Sequence, residues 1–141
     1  MSVLLEQHHV GIAVRDIEQA TRDWTRRFGC EVCTPVIHVA TQTAYIRFLR
    51  QPGSPVFLEL VSPDRPDSKL SNALNKGGGL NHLCYATDNI QQAVRHLSQQ
   101  GMAVLESPVA TVAFPGRLIA WLIGEDLLPI ELVERGSPGE P

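Results

Sequence analysis

Two histidines and two glutamates recur at matched places in this 141-residue chain. His9 opens the segment HVGIAV and His82 opens HLCYAT, while Glu59 is central in FLELV and Glu131 in PIELV. The His-to-Glu separations are 50 and 49 residues. Two neutral imidazoles and two carboxylates offer a divalent ion an N₂O₂ donor set with balanced charge, and further coordination positions can take water or substrate. Mn, Fe, Co, Ni or Zn suits these donors; the softer Cu(I) does not. A glutamate inside Phe-Leu-Glu-Leu-Val is costly to bury unless it is paired or ligated. It occurs twice, each time with a histidine upstream.

An internal repeat must position the four. Residues 9–24 align with 82–97 at a constant offset of 73, with six of sixteen positions identical. FLELV and PIELV then match at an offset of 72, as do Gly29 and Gly101. Same-order matches at nearly the same spacing mark a duplicated module. In each copy a short strand leads to a helix, with Asp16 and Asp88 expected at the N-caps. Ile17, Ala20, Trp24 and Phe28, and then Ile90, Ala93, Val94 and Leu97, keep helical spacing. Gly29 and Gly101 are expected to end the two helices. Strands are predicted near 31–39, 43–50 and 55–61, then at 103–106, 117–123 and 128–134. The module is β-α-β-β-β, twice: residues 8–61, a linker over 62–80 with a short helix at 68–75, and residues 81–134. The tail 136–141 is expected to fray.

Strand alternation places the four donors. Val10, Ile12 and Val14 share one face, so His9 points to the other; Leu58 and Leu60 likewise set Glu59 apart. The same reading holds for His82 against Leu83 and Tyr85, and for Glu131 against Ile130 and Leu132. All four converge if the sheet curves.

Composition narrows the field. The chain is 43% hydrophobic and 19% charged with a net charge of −3, a balance that fits one globular domain and disfavours nucleic-acid binding. No apolar run is long enough to span a bilayer and no secretory signal is visible. Three cysteines fit a reducing cytoplasm. Cys30-x-x-Cys33 follows a helix end rather than starting one, and Cys84 has no second thiol beside it, so buried structural thiols are expected in place of a redox or zinc knuckle. Trp24 and Trp121 are read as core, and His8 and His96 as surface.

The doubled module, opening on His-x-Gly-Ile-Ala-Val and closing on Glu-Leu-Val, resembles the vicinal oxygen chelate superfamily over residues 8–134. Within it His8-His9-Val10-Gly11-Ile12-Ala13-Val14, Leu58-Glu59-Leu60-Val61-Ser62-Pro63 and Gly78-Gly79-Leu80-Asn81-His82-Leu83 look most like methylmalonyl-CoA epimerase members. The resemblance implies an α+β fold in which two tandem βαβββ modules form a cupped eight-stranded mixed sheet with helices on the outer face. It puts the metal ligands on His9, Glu59, His82 and Glu131. It also implies a cytoplasmic homodimer acting on a small molecule: a metal-dependent epimerase, isomerase or lyase that moves a proton next to a carbonyl, on an acyl-CoA or related small acid. A glyoxalase I-like lyase, or a non-catalytic small-molecule (antibiotic) binder of the same fold, is the alternative.

The chain departs from the epimerase pattern at the dedicated acid/base glutamate, whose place is held by Thr41 or Gln42. Glu131 is then the expected base, with His38 as a titratable substitute if it faces the cup. Packing Ile46 and Phe48 under the helix would turn Tyr45 and Arg47 into the cup, where Arg47 could fork onto a carboxylate or phosphate. Tyr45, Arg47 and Gln42 are therefore the candidate substrate contacts.

Overall fold

In the computed structural model, which describes residues 4–141, the elements run β1 (Glu6–Ala13), α1 (Ile17–Phe28), β2 (Glu31–Val32), β3 (Ile37–Val39), a 3₁₀ turn (Ala40–Gln42), β4 (Ala44–Arg50), β5 (Phe57–Pro63), α2 (Ser71–Asn75), β6 (Gly79–Thr87), α3 (Ile90–Gln99), β7 (Ala103–Ala110), β8 (Leu118–Ile123) and β9 (Pro129–Glu134). The Asp16 side chain accepts from Gln19 N at 3.0 Å to open α1, and Gly29, at φ 71°, closes it in the left-handed conformation that a residue without Cβ adopts freely. In the second copy the cap is Asn89 instead of Asp88. The offset of 73 pairs Asn89 with Asp16, and Asp88 binds Arg135 Nε at 2.8 Å.

All strands join one mixed sheet, in the order β2-β4-β5-β1-β6-β9-β8-β7 with β3 attached to β4. β1 lies parallel to β5, and β6 parallel to β9. The two copies meet where β1 and β6 pair antiparallel. The sheet has nine strands and not the expected eight, because Pro35 interrupts the segment expected to be one strand over 31–39. Thr34 Oγ1 there accepts from Phe48 N at 3.1 Å, holding the interruption against β4.

Three apolar clusters flank the sheet. Ile17 and Ala20 of α1 pack on Leu49 and Leu60; Ile90 and Ala93 of α3 pack on Ala120, Leu122 and Leu132. The third cluster fills the concave side with Ile46, Phe48, Phe57, Val61, Phe114, Ile119 and Val133. The helices thus cover the outer face, and the inner face is left for chemistry. Among the described residues, no helix is long and apolar enough to cross a membrane. Of the cysteines, Cys30 and Cys84 are buried and Cys33 is exposed, all as free thiols; burial raises the Cys30 pKa, the opposite of an activated thiol. The tail expected to fray folds back, with Arg117 Nη1 donating to Pro141 O at 2.7 Å.

Candidate metal centre and the adjoining cavity

β1, β5, β6 and β9 are the four central strands, and each delivers one of the four repeat-related side chains to the concave face. His9, Glu59, His82 and Glu131 are all buried, none more than 5% exposed. His9 Nε2 lies 3.1 Å from His82 Nε2, 3.2 Å from Glu131 Oε1 and 3.7 Å from Glu59 Oε1. His82 Nε2 lies 3.2 Å from Glu59 Oε1 and 3.5 Å from Glu131 Oε1. Ligands about 2.1 Å from a tetrahedral zinc-type ion sit about 3.4 Å from one another, so these spacings fit a single divalent ion shared by His9, His82 and Glu131, with Glu59 approaching the two imidazoles beside it.

Hydrogen bonds around the imidazoles agree with that use. Asn81 Oδ1 accepts from His82 Nδ1 at 2.8 Å, which leaves Nε2 as the inward donor. His9 Nδ1 contacts His8 Nδ1 at 2.7 Å; for His9 to present Nε2, its Nδ1 must carry the hydrogen and His8 must accept it. Both supporting groups are neutral, which suits a centre that already holds two carboxylates. Glu131 Oε1 is buried and meets the two imidazole nitrogens at 3.2 and 3.5 Å. With both imidazoles presenting an unprotonated Nε2, neither can donate to this oxygen, and a cation at this point would satisfy it.

Electrostatics tie the four together. Burial by itself would lower the His82 pKa, but hydrogen bonds and charge from Glu131 and Glu59 outweigh it and raise it to about 10. Burial would raise the Glu131 carboxyl; the two imidazoles outweigh it and hold it well below the usual carboxylate range. The set binds a proton tightly, so a divalent ion must compete for that position. His8 is pushed down to about 3, by burial first and then by His9 and Arg117.

The local backbone makes room for this arrangement. A register shift between Gln7 and His9 opposite β6 marks a bulge at His8. The extra residue turns His8 inward beside His9, which is why it is buried and not on the surface as expected. A second shift lies between Gly11 and Ile12, where Asn81 is the extra residue on β6. Gly11 pairs with His82, and a Cβ on Gly11 would overlap the His82 ring.

The expected substrate contacts divide. Gln42 and Thr41 line a cavity of about 570 Å³ beside the centre, together with Asn81, Lys69, Glu106 and Trp121. Trp121, expected to be plain core, stands edge-on to His82 with ring centroids 4.9 Å apart. Arg47 does not face the cup. Its Nε donates to Thr34 O at 3.2 Å, and its Nη1 lies 3.4 Å from Glu18 Oε2 and Thr21 Oγ1, both on α1. Tyr45 shares that outer face, with its ring 4.9 Å from His38. His38 binds Asp64 Oδ2 at 2.8 Å, with half its side chain exposed. The expectation for these three is corrected because the apolar face of β4 fills the cup instead of packing under the helix: Ile46 and Phe48 meet Phe57 and Phe114, which turns Tyr45 and Arg47 to the side where Leu49 meets the helix. Alternation gives two faces without saying which is inner. His8 and Trp121, read as surface and core, and Asn81 and Glu106, given no role, are the site residues the sequence reading missed; their only sequence signal is closeness to, or register with, the repeat histidines and glutamates.

The family model described as Glyoxalase/Bleomycin resistance protein/Dioxygenase superfamily matches residues 8–121. Mitochondrial methylmalonyl-CoA epimerase of Bos taurus is 31% identical over 121 residues, covering 84% of this chain and 67% of that protein. Ethylmalonyl-CoA/methylmalonyl-CoA epimerase of Cereibacter sphaeroides is 30% identical over 121 residues, covering 84% and 88%. Among solved structures, methylmalonyl-CoA epimerase from Mycobacterium tuberculosis superimposes with a TM-score of 0.81 at 26% identity, covering 94% of this chain and 89% of that one. A methylmalonyl-CoA epimerase in complex with methylmalonyl-CoA and NH4+ gives 0.80 at 25% identity, covering 98% and 99%.

Proposed function

The chain belongs to the glyoxalase/bleomycin resistance protein/dioxygenase superfamily, and from that premise we propose that it is a metal-dependent epimerase working in the cytoplasm. The reaction is proton transfer next to the carbonyl of an acyl-CoA or related small acid. The observation that carries the reading is the 3.1 Å approach of His9 Nε2 to His82 Nε2, with Oε1 of Glu131 buried 3.2 Å from the former. His9, Glu59, His82 and Glu131 would hold the ion, which when bound would polarise a carbonyl and acidify the neighbouring C–H.

The chain's own groups do the rest. Glu131 reaches the site as a carboxylate and takes the proton from the carbon, as a base positioned within the cup. Asn81 and His8 hold the two imidazoles in orientation. Trp121 and the apolar cavity wall exclude water from the reacting face. Gln42 and Lys69 line the cavity and contact the polar part of the substrate. A glyoxalase I-like lyase is the second reading. It is favoured by the turn Ala40–Gln42, which presents no carboxylate and leaves the base role to the centre.

Metal analysis of protein purified without chelator, followed by solvent-deuterium incorporation into acyl thioesters, tests the proposal. The expected result is about one divalent ion per chain and metal-dependent exchange. Exchange is abolished in Glu131→Gln and kept, with weaker metal binding, in Glu59→Gln. Absence of exchange with every thioester, hydroxyacyl and keto substrate in metal-loaded protein points to the binding-protein alternative. We further propose a homodimer: β7 is an edge strand with Leu105 58% exposed. Light scattering should give twice the 15.5 kDa chain mass.

A further inference from the structure

Inverting a carbon needs a proton taken from one face and a proton given to the other. The turn where a second acid/base was expected carries Thr41 and Gln42, and His38 is bound to Asp64 on the other side of β4. Among the described residues that line the cavity beside the centre, Glu106 is the one carboxylate and Lys69 the one cation; Lys69 Nζ donates to Thr41 O at 3.0 Å.

Three features place Glu106 for use. It stands in register with Trp121 on β8, and Trp121 stands in register with Glu131 on β9. Residues opposite one another on neighbouring strands share a face, and two strand spacings put the Glu106 backbone roughly 10 Å from that of Glu131. Two side chains leaning inward over that span leave room for a substrate carbon between them. The ladder breaks on both sides of Glu106, between Val104 and Glu106 and between Glu106 and Val109; such bulges re-aim a side chain beside a site. Finally, Glu106 enters none of the ion pairs or side-chain hydrogen bonds found among the described residues, and it is an exposed residue lining the cavity.

We propose that Glu106 is the second acid/base of this site, standing across the substrate from Glu131. The assignment rests on the epimerase reading above. Glu131 accepts the proton of the carbon next to the carbonyl, and the C–H electron pair becomes that of the enolate. Glu106, in its carboxylic-acid form, gives its proton to the opposite face of the same carbon. A C–H bond breaks on one face and forms on the other, one carboxylate gains the proton the other loses, and exchange with water resets both. No oxidant, reductant or further reactant is needed.

The test uses metal-loaded full-length protein with one resolved enantiomer of methylmalonyl-CoA in D₂O, following deuterium by mass spectrometry and inversion by circular dichroism. In Glu106→Gln, deuterium incorporation into the starting enantiomer should stay within about threefold of wild type, while inversion falls about 10²–10⁴-fold. Glu106→Asp should restore part of the inversion. A readout independent of turnover is proton uptake on binding 2-nitronate-propionyl-CoA, a planar carbanion mimic, measured by calorimetry in two buffers. Uptake should drop by about one proton per site in Glu106→Gln. Equal loss of exchange and inversion, unchanged inversion, or unchanged proton uptake each overturns the assignment of Glu106. Wild-type protein that holds metal and exchanges nothing overturns the epimerase reading, and Glu106 with it; exchange with normal inversion in Glu106→Gln overturns Glu106 alone.

Discussion

Gly11 and His82 face each other across β1 and β6, and the His82 imidazole fills the space a side chain on residue 11 would need. Gly11 is therefore part of the centre without touching an ion. Its lack of a Cβ lets His82 lie flat enough for Nε2 to reach 3.1 Å from His9 Nε2. Gly11→Ala should displace the ring, destabilise the fold by about 1–3 kcal/mol through overpacking, and weaken metal binding at least tenfold. Thermal unfolding with and without chelator separates the two effects, because the metal-dependent shift in Tm should shrink as well as the baseline Tm.

His8 orients His9 through the 2.7 Å Nδ1 contact. Replacing it by Phe keeps a ring among Phe48, Phe57 and Phe114 but removes the hydrogen-bond acceptor. Loss of such a supporting partner typically costs about 10–100-fold in metal affinity. Competition with a chromophoric chelator measures it, and an affinity equal to wild type would show that His9 needs no partner.

Stability of the metal-free protein should peak near pH 6.5. His82 is raised to about 10, so its contribution is complete below its unfolded value near 6.5 and is lost as pH rises towards 10. His8 is lowered to about 3, so the unfolded chain binds a proton that the native chain refuses as pH falls below about 6.5, and stability drops on that side too. Below about pH 4.5 the loss deepens, because Glu131 is held below its unfolded value. Chelator-treated protein melted from pH 4 to 9 reads this profile. Added zinc should flatten the alkaline limb, since the ion replaces the proton whose loss causes it.

His38→Ala and Arg47→Ala should leave solvent exchange within about twofold of wild type, since removing a true general base costs about 10²–10⁴-fold. Both side chains lie away from the cup, on Asp64 and on α1. Arg47→Ala should cost stability by no more than about 1 kcal/mol from its partly exposed pair with Glu18. A large kinetic loss in either variant would return that residue to the site.

The repeat made the four central side chains legible. A residue that is out of place in an apolar strand, and is so twice at one spacing, reports a shared task before any coordinates exist. The helix limits were legible for the same local reason at Asp16 and Gly29, where cap chemistry is written in two residues. What the tertiary structure alone decided was the sense of each face and the irregularities of the ladder. The alternation of β4 sets Ile46 and Phe48 apart from Tyr45 and Arg47, but nothing in it says that Phe48 belongs inside and Arg47 beside α1. The bulges at His8, at Asn81 and on either side of Glu106 each shift the two-residue period by one, and a one-residue shift moves a side chain to the opposite face of the sheet. Spacing along a chain fixes which residues can share a face. Which face is inner, and where the period slips, depends on packing between strands far apart in sequence.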